Sequence, residues 1–204
     1  MKNLSPLLLG FVLTVFAFPP FTRAEEELPS PEVQDMEWAI IPHKEAKDKA
    51  FVNDMKYGSG TRTLTEVKFE VKVSAIRGQT VNDVQVFIFP LERDMEWKNN
   101  DVNKGHEIST VLKLKSFSLT PTQQDWTDTS TAARFETMRS QNANMAWQGG
   151  REFCGYVAEL RIGGKVVAVK TSGSDVQQIR KAFFIFRSSK NYPKPSAKTD
   201  TKPE

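Results

Sequence analysis

The feature that most constrains the fold is a segment in which apolar and polar side chains alternate strictly. From Val67 to Ala75, every second residue is apolar, and lysine, glutamate or serine fills the positions between. Successive side chains of a β-strand point to opposite faces, so this segment predicts a strand with one buried and one hydrated face. Gly78 follows shortly after and ends it. A sheet built on such strands must bury its apolar face against a second layer.

Two further segments predict strands. In VNDVQVFIFPLE, valine and isoleucine side chains occupy one face and Phe87 and Phe89 the other, so both faces are apolar. Pro90 has no amide hydrogen and predicts that this strand lies at a sheet edge or ends there. The segment from Ile108 to Leu119 predicts one long bent strand or two short ones, with its leucines and Phe117 facing inward.

The segment FCGYVAELRIGGKVVAVKTSG predicts a β-hairpin. Gly163 and Gly164 separate two β-rich arms and accept the positive φ angles of a two-residue hairpin turn. Ser174 or Ser172 is then expected to cap a short helix that runs through Asp175 to Arg180. The apolar cluster Phe183–Phe186 is assigned to the core, either as the buried end of this helix or as a last strand.

The segment from Thr122 to Gly150 is rich in polar residues and predicts no regular pattern. Thr131 to Gln141 is expected to form one or two helical turns. A loop of this length inside a compact domain is usually functional or contains a further element.

These elements predict one all-β domain. About seven strands punctuated by glycine and proline favour an immunoglobulin-like two-sheet β-sandwich with one or two short helices. We expect a signal peptide at 1–24, an extended acidic leader at 25–33, the sandwich domain at 34–189 and a disordered tail at 190–204.

The first 24 residues have the zones of a secretory signal. Lys2 precedes an apolar run from Leu7 to Phe18, and a small-residue ending follows at Thr22-Arg23-Ala24. The run is too short to cross roughly 30 Å of hydrocarbon, which needs about 20 helical residues. We therefore expect an exported protein in the periplasm, on the cell surface or outside the cell, with no stable membrane anchor after cleavage.

Charge and cysteine content exclude several classes of protein. Without Lys2 and Arg23 the chain carries 26 basic and 25 acidic residues, a formal net charge of +1. Nucleic-acid binding requires a concentrated basic face, so no nucleic-acid partner is expected. Cys154 is the single cysteine, which excludes an internal disulfide and leaves the fold to depend on its hydrophobic core.

No catalytic, metal or cofactor site is predicted. A cysteine nucleophile needs a nearby base, for which His106 is the candidate, but Cys154 is interpreted as a small buried core residue. His43 and His106 are the two histidines, and neither pairs with Cys154 at a metal-ligand spacing. Carboxylates such as Glu92 and Asp94 are assigned no acid/base role.

Tryptophans are the candidate ligand-binding residues. The tetrapeptide Asp-Met-Glu-Trp ends at Trp38 and recurs ending at Trp97. Packing at the side or end of the sandwich is the favoured interpretation of most tryptophans. The functional alternative is that Trp97, Trp126 and Trp147 stack on sugar rings.

The strand KFEVKVSAIRG, the strand VNDVQVFIF and the hairpin YVAELRIGGKVVAVKTSG resemble a group of small secreted immunoglobulin-like proteins of mucus-dwelling verrucomicrobial bacteria. Some of these are encoded beside type IV pilus genes, and the resemblance covers about Leu64 to Ser188. It implies a sandwich domain similar to those of pilus-associated proteins. A type IV pilin keeps its apolar stem, whereas the run here ends in Pro19-Pro20, so an accessory role fits better.

The sequence thus favours a non-enzymatic, exported protein-interaction domain of a cell-surface or pilus-associated assembly. Its partner would be an envelope or pilus protein that completes an exposed strand edge. The alternative is a glycan-binding module that uses the exposed tryptophans.

Overall fold

The computed structural model describes residues 36–54, 58–75, 78–95, 105–140 and 148–194. The predicted signal peptide at 1–24 and the leader at 25–33 lie outside these residues. The described residues form ten strands, all paired antiparallel, and one helix.

The strands are arranged in two layers. The first sheet contains β1 (Met36–Asp54), β2 (Gly58–Ala75), β7 (Asp125–Thr129) and β8 (Ala133–Ser140). The second sheet contains β3 (Val81–Asp94), β4 (His106–Ile108), β5 (Leu112–Lys113), β6 (Phe117–Leu119), β9 (Gln148–Ile162) and β10 (Lys165–Gly173). The helix α1 (Val176–Arg187) follows β10.

Strand β9 joins the two layers. Its first residues, 148–150, pair with β8 of the first sheet, and the remainder pairs with β3 and β10 of the second. The predicted fold class, an immunoglobulin-like two-sheet sandwich with one or two short helices, is confirmed as an all-β fold with a single helix in the described residues.

The main core lies between the two sheets. The alternating residues of β2 from Val67 to Ala75 are all buried there, as their pattern predicts. They face Val84, Val86 and Ile88 of β3 across the sandwich. Leu112, Leu114 and Leu119 are buried in the same cluster, with Phe117 packed against it.

A second core lies on the outer face of the second sheet, under the helix. It contains Phe87, Phe89 and Leu91 of β3, which confirms that this strand is apolar on both faces. Ile179 and Phe183 of α1 cover them. Together the first sheet, the second sheet and α1 form three layers.

The prediction that Pro90 limits β3 to an edge or a strand end is wrong. Strand β3 continues to Asp94 and has neighbours on both sides. The Pro90 carbonyl accepts a hydrogen bond from the Ser109 amide at 3.0 Å. In an antiparallel strand the nitrogen of a residue faces the same side as its carbonyl, so the proline nitrogen also faces Ser109. Ser109 lies in the break between β4 and β5, where no ladder donor is required.

The segment from Ile108 to Leu119, predicted as one or two strands, contributes to three short strands along β3. The prediction of helical turns between Thr131 and Gln141 is wrong, because residues 133–140 form β8 between β2 and β9. Ala133 and Phe135 are buried at alternate positions. Ser130 fixes the start of this strand, since its hydroxyl accepts from the Phe69 amide at 3.0 Å.

The hairpin around Gly163 and Gly164 is confirmed, with φ angles of 54° and 79°. The helix is present, but its N-cap is Asp175 and not Ser172 or Ser174. The Asp175 carboxylate accepts from the Gln178 amide at 3.1 Å, as a capping side chain does.

The assignment of the whole Phe183–Phe186 cluster to the core is also wrong. A helix on the surface of a domain buries one stripe of side chains, so four consecutive residues cannot all face the core. Phe183 is buried, whereas Phe184 is 72% exposed and Ile185 is 63% exposed.

The predicted tail at 190–204 is described only as far as residue 194, and within this part Tyr192 is buried in the second core. Its hydroxyl donates to Glu159 Oε1 at 2.7 Å and accepts from Arg161 Nη2 at 3.1 Å. Arg161 Nη1 also donates to the Pro193 carbonyl at 2.7 Å. Glu159 and Arg161 are almost fully buried and form an ion pair. This network attaches the segment after α1 to β9.

We expect Tyr192→Phe to destabilise the fold by about 1–3 kcal/mol, because it leaves the buried Glu159 Oε1 atom without its hydrogen-bond donor. Urea denaturation gives the free energy of unfolding. Tyr156→Phe is the matched control, since the Tyr156 hydroxyl bonds only neutral groups, the Ile40 carbonyl and the Ser172 side chain. Equal losses for the two variants would contradict the role given to the Glu159–Arg161 network.

The helix packs closely because glycines face it. Gly155 and Gly173 are paired across β9 and β10. A Cβ at Gly155 would overlap the Ser172 carbonyl oxygen and lie 2.6 Å from Ile179 Cδ1. Any side chain here would therefore separate α1 from the sheet.

We expect Gly155→Ala to cost about 1–3 kcal/mol of stability or more, through overpacking between two backbones. The urea midpoint reports this loss. Lys165→Ala, at an exposed position on the neighbouring strand β10, is the control and is expected to unfold at the wild-type midpoint. A wild-type midpoint for Gly155→Ala would show that the helix does not need this close approach.

Candidate interaction surface

The outer edge of β1 is the candidate interaction surface. Among the described residues β1 pairs with β2 alone and stands at the end of the strand order. The carbonyl groups of Trp38 and Ile40 accept hydrogen bonds from side chains of β10 and β9. In an antiparallel strand, N–H and C=O groups alternate between the two sides. The even-numbered residues of β1 up to Ala50 therefore direct their backbone groups away from β2.

The register of β2 supports this assignment. The Phe69 carbonyl accepts from the Ser130 amide at 2.9 Å, and the Ala75 amide donates to the Gln124 carbonyl at 2.9 Å. The backbone N–H and C=O groups of odd-numbered β2 residues thus point away from β1. The β1 residues opposite them in the register are even-numbered, so their backbone groups point away from β2. Pro42 is one of these partners, so its nitrogen lies on the outer side, where no bond to β2 is lost.

Two side chains bridge the first part of this edge to the second sheet. The Tyr156 hydroxyl donates to the Ile40 carbonyl at 3.2 Å. The Lys170 ammonium donates to the Trp38 carbonyl and lies 4.8 Å from the centre of the Trp38 ring. Partial burial raises the pKa of Tyr156 and lowers the pKa of Lys170. We call the gap that these contacts cross the seam, with Trp38 to Lys44 on one side and β9 and β10 on the other.

A groove of about 380 Å³ opens in the seam. Its lining includes Pro42, Lys44, Phe153, Tyr156 and Ser172. Lys44 Nζ lies 4.7 Å from the centre of the Phe153 ring. Arg93 and Glu152 also line the groove and pair with each other, whereas in the described part of the chain neither Lys44 nor Lys170 has a carboxylate partner. The seam therefore carries two cations that no carboxylate neutralises.

Beyond the seam the edge of β1 is open. Every residue from Ile41 to Ala50 is exposed. Four of the outward-facing residues follow Pro42, and each offers one N–H donor and one C=O acceptor. Charged side chains along this part discourage unspecific pairing of identical edges, as on other exposed strands. A partner strand with complementary charges could extend the sheet here.

The predicted ligand-binding tryptophans are only partly described. Trp126 lies on β7 and pairs with Val73 of β2. Its ring is half-buried and stacks on Phe117, with centroids 3.8 Å apart and an interplanar angle of 6°. One ring face is therefore occupied by a neighbour. Trp97 and Trp147 lie outside the described residues.

Cys154 is buried, as its sequence context predicts. It lies at an irregularity of β9, where the register with β3 shifts, and its side chain belongs to the core under α1. Burial raises the pKa of its thiol to about 11, so the group is protonated at neutral pH. No hydrogen bond joins it to His106 in the described residues.

The acidic residues near Cys154 are held by arginines. Arg151 contacts Glu92 and lies 3.3 Å from Glu107, and Arg93 donates to Glu152 at 2.8 Å. Hydrogen bonding to Glu92 raises the pKa of Arg151. No group of three potential metal ligands occurs among the described residues. The helix that the structure describes is too short and too polar to cross a bilayer.

Sequence reasoning did not identify the β1 edge. The signal that was available is the apolar alternation Met36, Trp38 and Ile40, which precedes a polar segment. The polar half from Ile41 to Ala50 has no apolar period, because neither of its faces is buried.

No protein-family model matches this chain. No curated protein matches it either. A crystal structure of a protein from Akkermansia muciniphila is a structural neighbour at 11% sequence identity, with a TM-score of 0.21. The alignment covers 79% of this chain and 81% of that chain.

We expect the Cys154 thiol to react about 100-fold more slowly in the folded protein than a thiol of ordinary pKa, since its pKa rises from 9.0 to about 11. Rates of alkylation by iodoacetamide near pH 8 measure this. A Ser116→Cys, Cys154→Ser double variant supplies an exposed thiol on the same fold. Equal rates for the two thiols would show that Cys154 is accessible and ionised.

Proposed function

We propose that this chain is a non-enzymatic, exported protein-interaction domain of a cell-surface or pilus-associated assembly, and that its partner adds a strand to the outer edge of β1. The observation that carries the proposal is the open edge from Lys44 to Ala50, whose outward backbone groups have no partner strand in the described residues.

Strand addition suits the chemistry of this edge. A net backbone hydrogen bond contributes about 0.5–1.5 kcal/mol, and each outward residue of β1 provides a donor and an acceptor. Several such bonds give useful affinity without a deep pocket. Specificity would come from the side chains, since Lys47 and Lys49 on one face and Asp48 on the other require a complementary charge pattern.

The seam sets where the added strand would begin. Lys170 and Tyr156 already occupy the carbonyls of Trp38 and Ile40, and Pro42 offers no amide hydrogen. The first residue able to pair fully with a partner is thus Lys44. Its ammonium and the groove beside it favour a partner with an acidic side chain at this end.

A non-enzymatic role is supported by the state of the reactive groups. The Cys154 thiol is buried and protonated. Glu92 and Glu152 are engaged by arginines. Export and the link to a cell-surface or pilus-associated assembly rest on the sequence, through the secretory pattern at 1–24 and the resemblance described above.

We expect Ala46→Pro to abolish partner capture while leaving the fold intact. The Ala46 amide faces outward, so proline removes one donor from the edge without removing a hydrogen bond to β2. The measurement is an affinity pull-down from the envelope fraction of the source cells with the chain starting at Glu25. Mass spectrometry identifies the protein retained, and its affinity is then measured in purified form.

Ala46→Ser is the matched control, because it keeps the amide hydrogen at the same position. Equal capture of the same envelope protein by Ala46→Pro and Ala46→Ser would place the interaction away from this edge. Failure to capture any protein, together with sugar binding lost on Trp126→Ala, would favour the glycan-binding alternative.

A further inference from the structure

The outer face of α1 carries the two most exposed large apolar side chains of the described residues. Phe184 is 72% exposed and Ile185 is 63% exposed. The opposite stripe of the helix, with Ile179 and Phe183, is buried on the second sheet. The helix thus packs one face on the domain and exposes the apolar pair Phe184 and Ile185 to solvent.

Cations lie close to this apolar pair in the sequence. Arg180 and Lys181 precede Phe184 and Ile185 by four residues, the spacing that brings helical side chains together on one side. Lys190 and Lys194 follow the helix, and among the described residues none of these four cations has an ion pair. The fifth cation, Arg187, forms an ion pair with Glu159, with 3.9 Å between Arg187 Nε and Glu159 Oε1.

The negative charge of this segment is small. From residue 175 to residue 194, five basic residues accompany a single acid, Asp175, which is used as the N-cap of α1. The chain without its signal has a formal charge close to zero, so this local excess is a feature of the helix region.

The pattern does not fit a helix that docks into a protein groove. Such helices present apolar anchors at i, i+3 or i+4, and i+7 along one face. Here Gln177, Lys181 and Ser188 are the neighbours of Phe184 along the outer face, so the apolar contact is one adjacent pair. Two copies of the chain would repel each other through this face, since each carries the same cations.

We propose that the outer face of α1 binds the surface of an anionic lipid bilayer. Phe184 and Ile185 enter the headgroup region, and Arg180, Lys181 and Lys190 lie beside lipid phosphates. Helices that carry cations beside exposed large apolar residues bind membrane interfaces in this manner. Measurable affinity needs both the burial of the apolar side chains and the attraction of the cations to anionic lipids. The contact is reversible, because only two apolar side chains are inserted.

Binding to vesicles tests the proposal. The chain starting at Glu25 retains every described residue and lacks the apolar run from Leu7 to Phe18, which would itself bind lipid. Vesicles of phosphatidylcholine alone are compared with vesicles that also contain phosphatidylglycerol, by co-sedimentation. We expect at least about tenfold stronger partitioning onto the anionic vesicles, weakened by added salt.

Matched variants locate the contact. Phe184→Ser with Ile185→Ser is expected to lower partitioning at least about tenfold. Ile41→Ser with Val169→Ser, which removes two exposed apolar side chains elsewhere, is expected to have no effect. Arg180→Gln with Lys181→Gln is expected to lower both the partitioning and its salt dependence, and Lys47→Gln with Lys49→Gln to change neither. All eight positions are exposed, so thermal midpoints should remain at the wild-type value.

Two results would overturn the proposal. Wild-type partitioning by the Phe184→Ser, Ile185→Ser variant would show that this face does not contact lipid. Absence of binding to anionic vesicles, with the same variant losing a purified envelope protein, would assign the face to a protein partner. The Ala46→Pro variant is expected to keep vesicle binding, since Ala46 lies on β1 and not on α1. Failure of the lipid-binding proposal can therefore be distinguished from failure of the strand-addition proposal.

Discussion

The pairing of β3 with β9 is the constraint on which both cores depend. Between Phe87 and Leu91, alternate side chains of β3 enter the core between the sheets and the core under α1. Strand β9 does the same and also reaches the first sheet through residues 148–150. Because both faces of this pair are covered, the chain must supply a layer on each side. The first sheet provides one layer, and α1 with Tyr192 provides the other.

A buried ion pair lies at one end of this arrangement. Glu159 and Arg161 face the helix side of β9, and burying charge is unfavourable unless every polar atom is paired. Tyr192 and the Pro193 carbonyl complete the pairing, and the guanidinium also stacks 4.1 Å from the Phe87 ring centre. This requirement explains why the chain stays packed beyond α1. The same packing orients the helix so that Phe184 and Ile185 face solvent.

Local patterns predicted the elements whose burial is regular along the sequence. Strand β2 was recognisable because one of its faces is buried from Val67 to Ala75. The hairpin at Gly163 was recognisable because a Gly-Gly pair between two β-rich segments is typical of a two-residue turn. Strand β8 was not, because Ala133 and Phe135 are the only buried residues among those of β8 whose burial the structure describes, and the strand is held by pairing with β2. Pairing partners distant in the sequence leave no local signal. The exposure of Phe184 was missed because apolar content alone does not show which side of a helix is covered.

The two proposed surfaces belong to different layers. The open edge of β1 belongs to the first sheet, whereas α1 covers the far side of the second sheet. A bilayer in contact with the outer face of α1 would therefore meet the domain at one end of the three-layer stack. The outward backbone groups of β1 from Lys44 to Ala50 point along the plane of the first sheet and not toward α1. Lipid contact and strand addition can thus occur together, so a membrane-bound domain could still accept a partner strand.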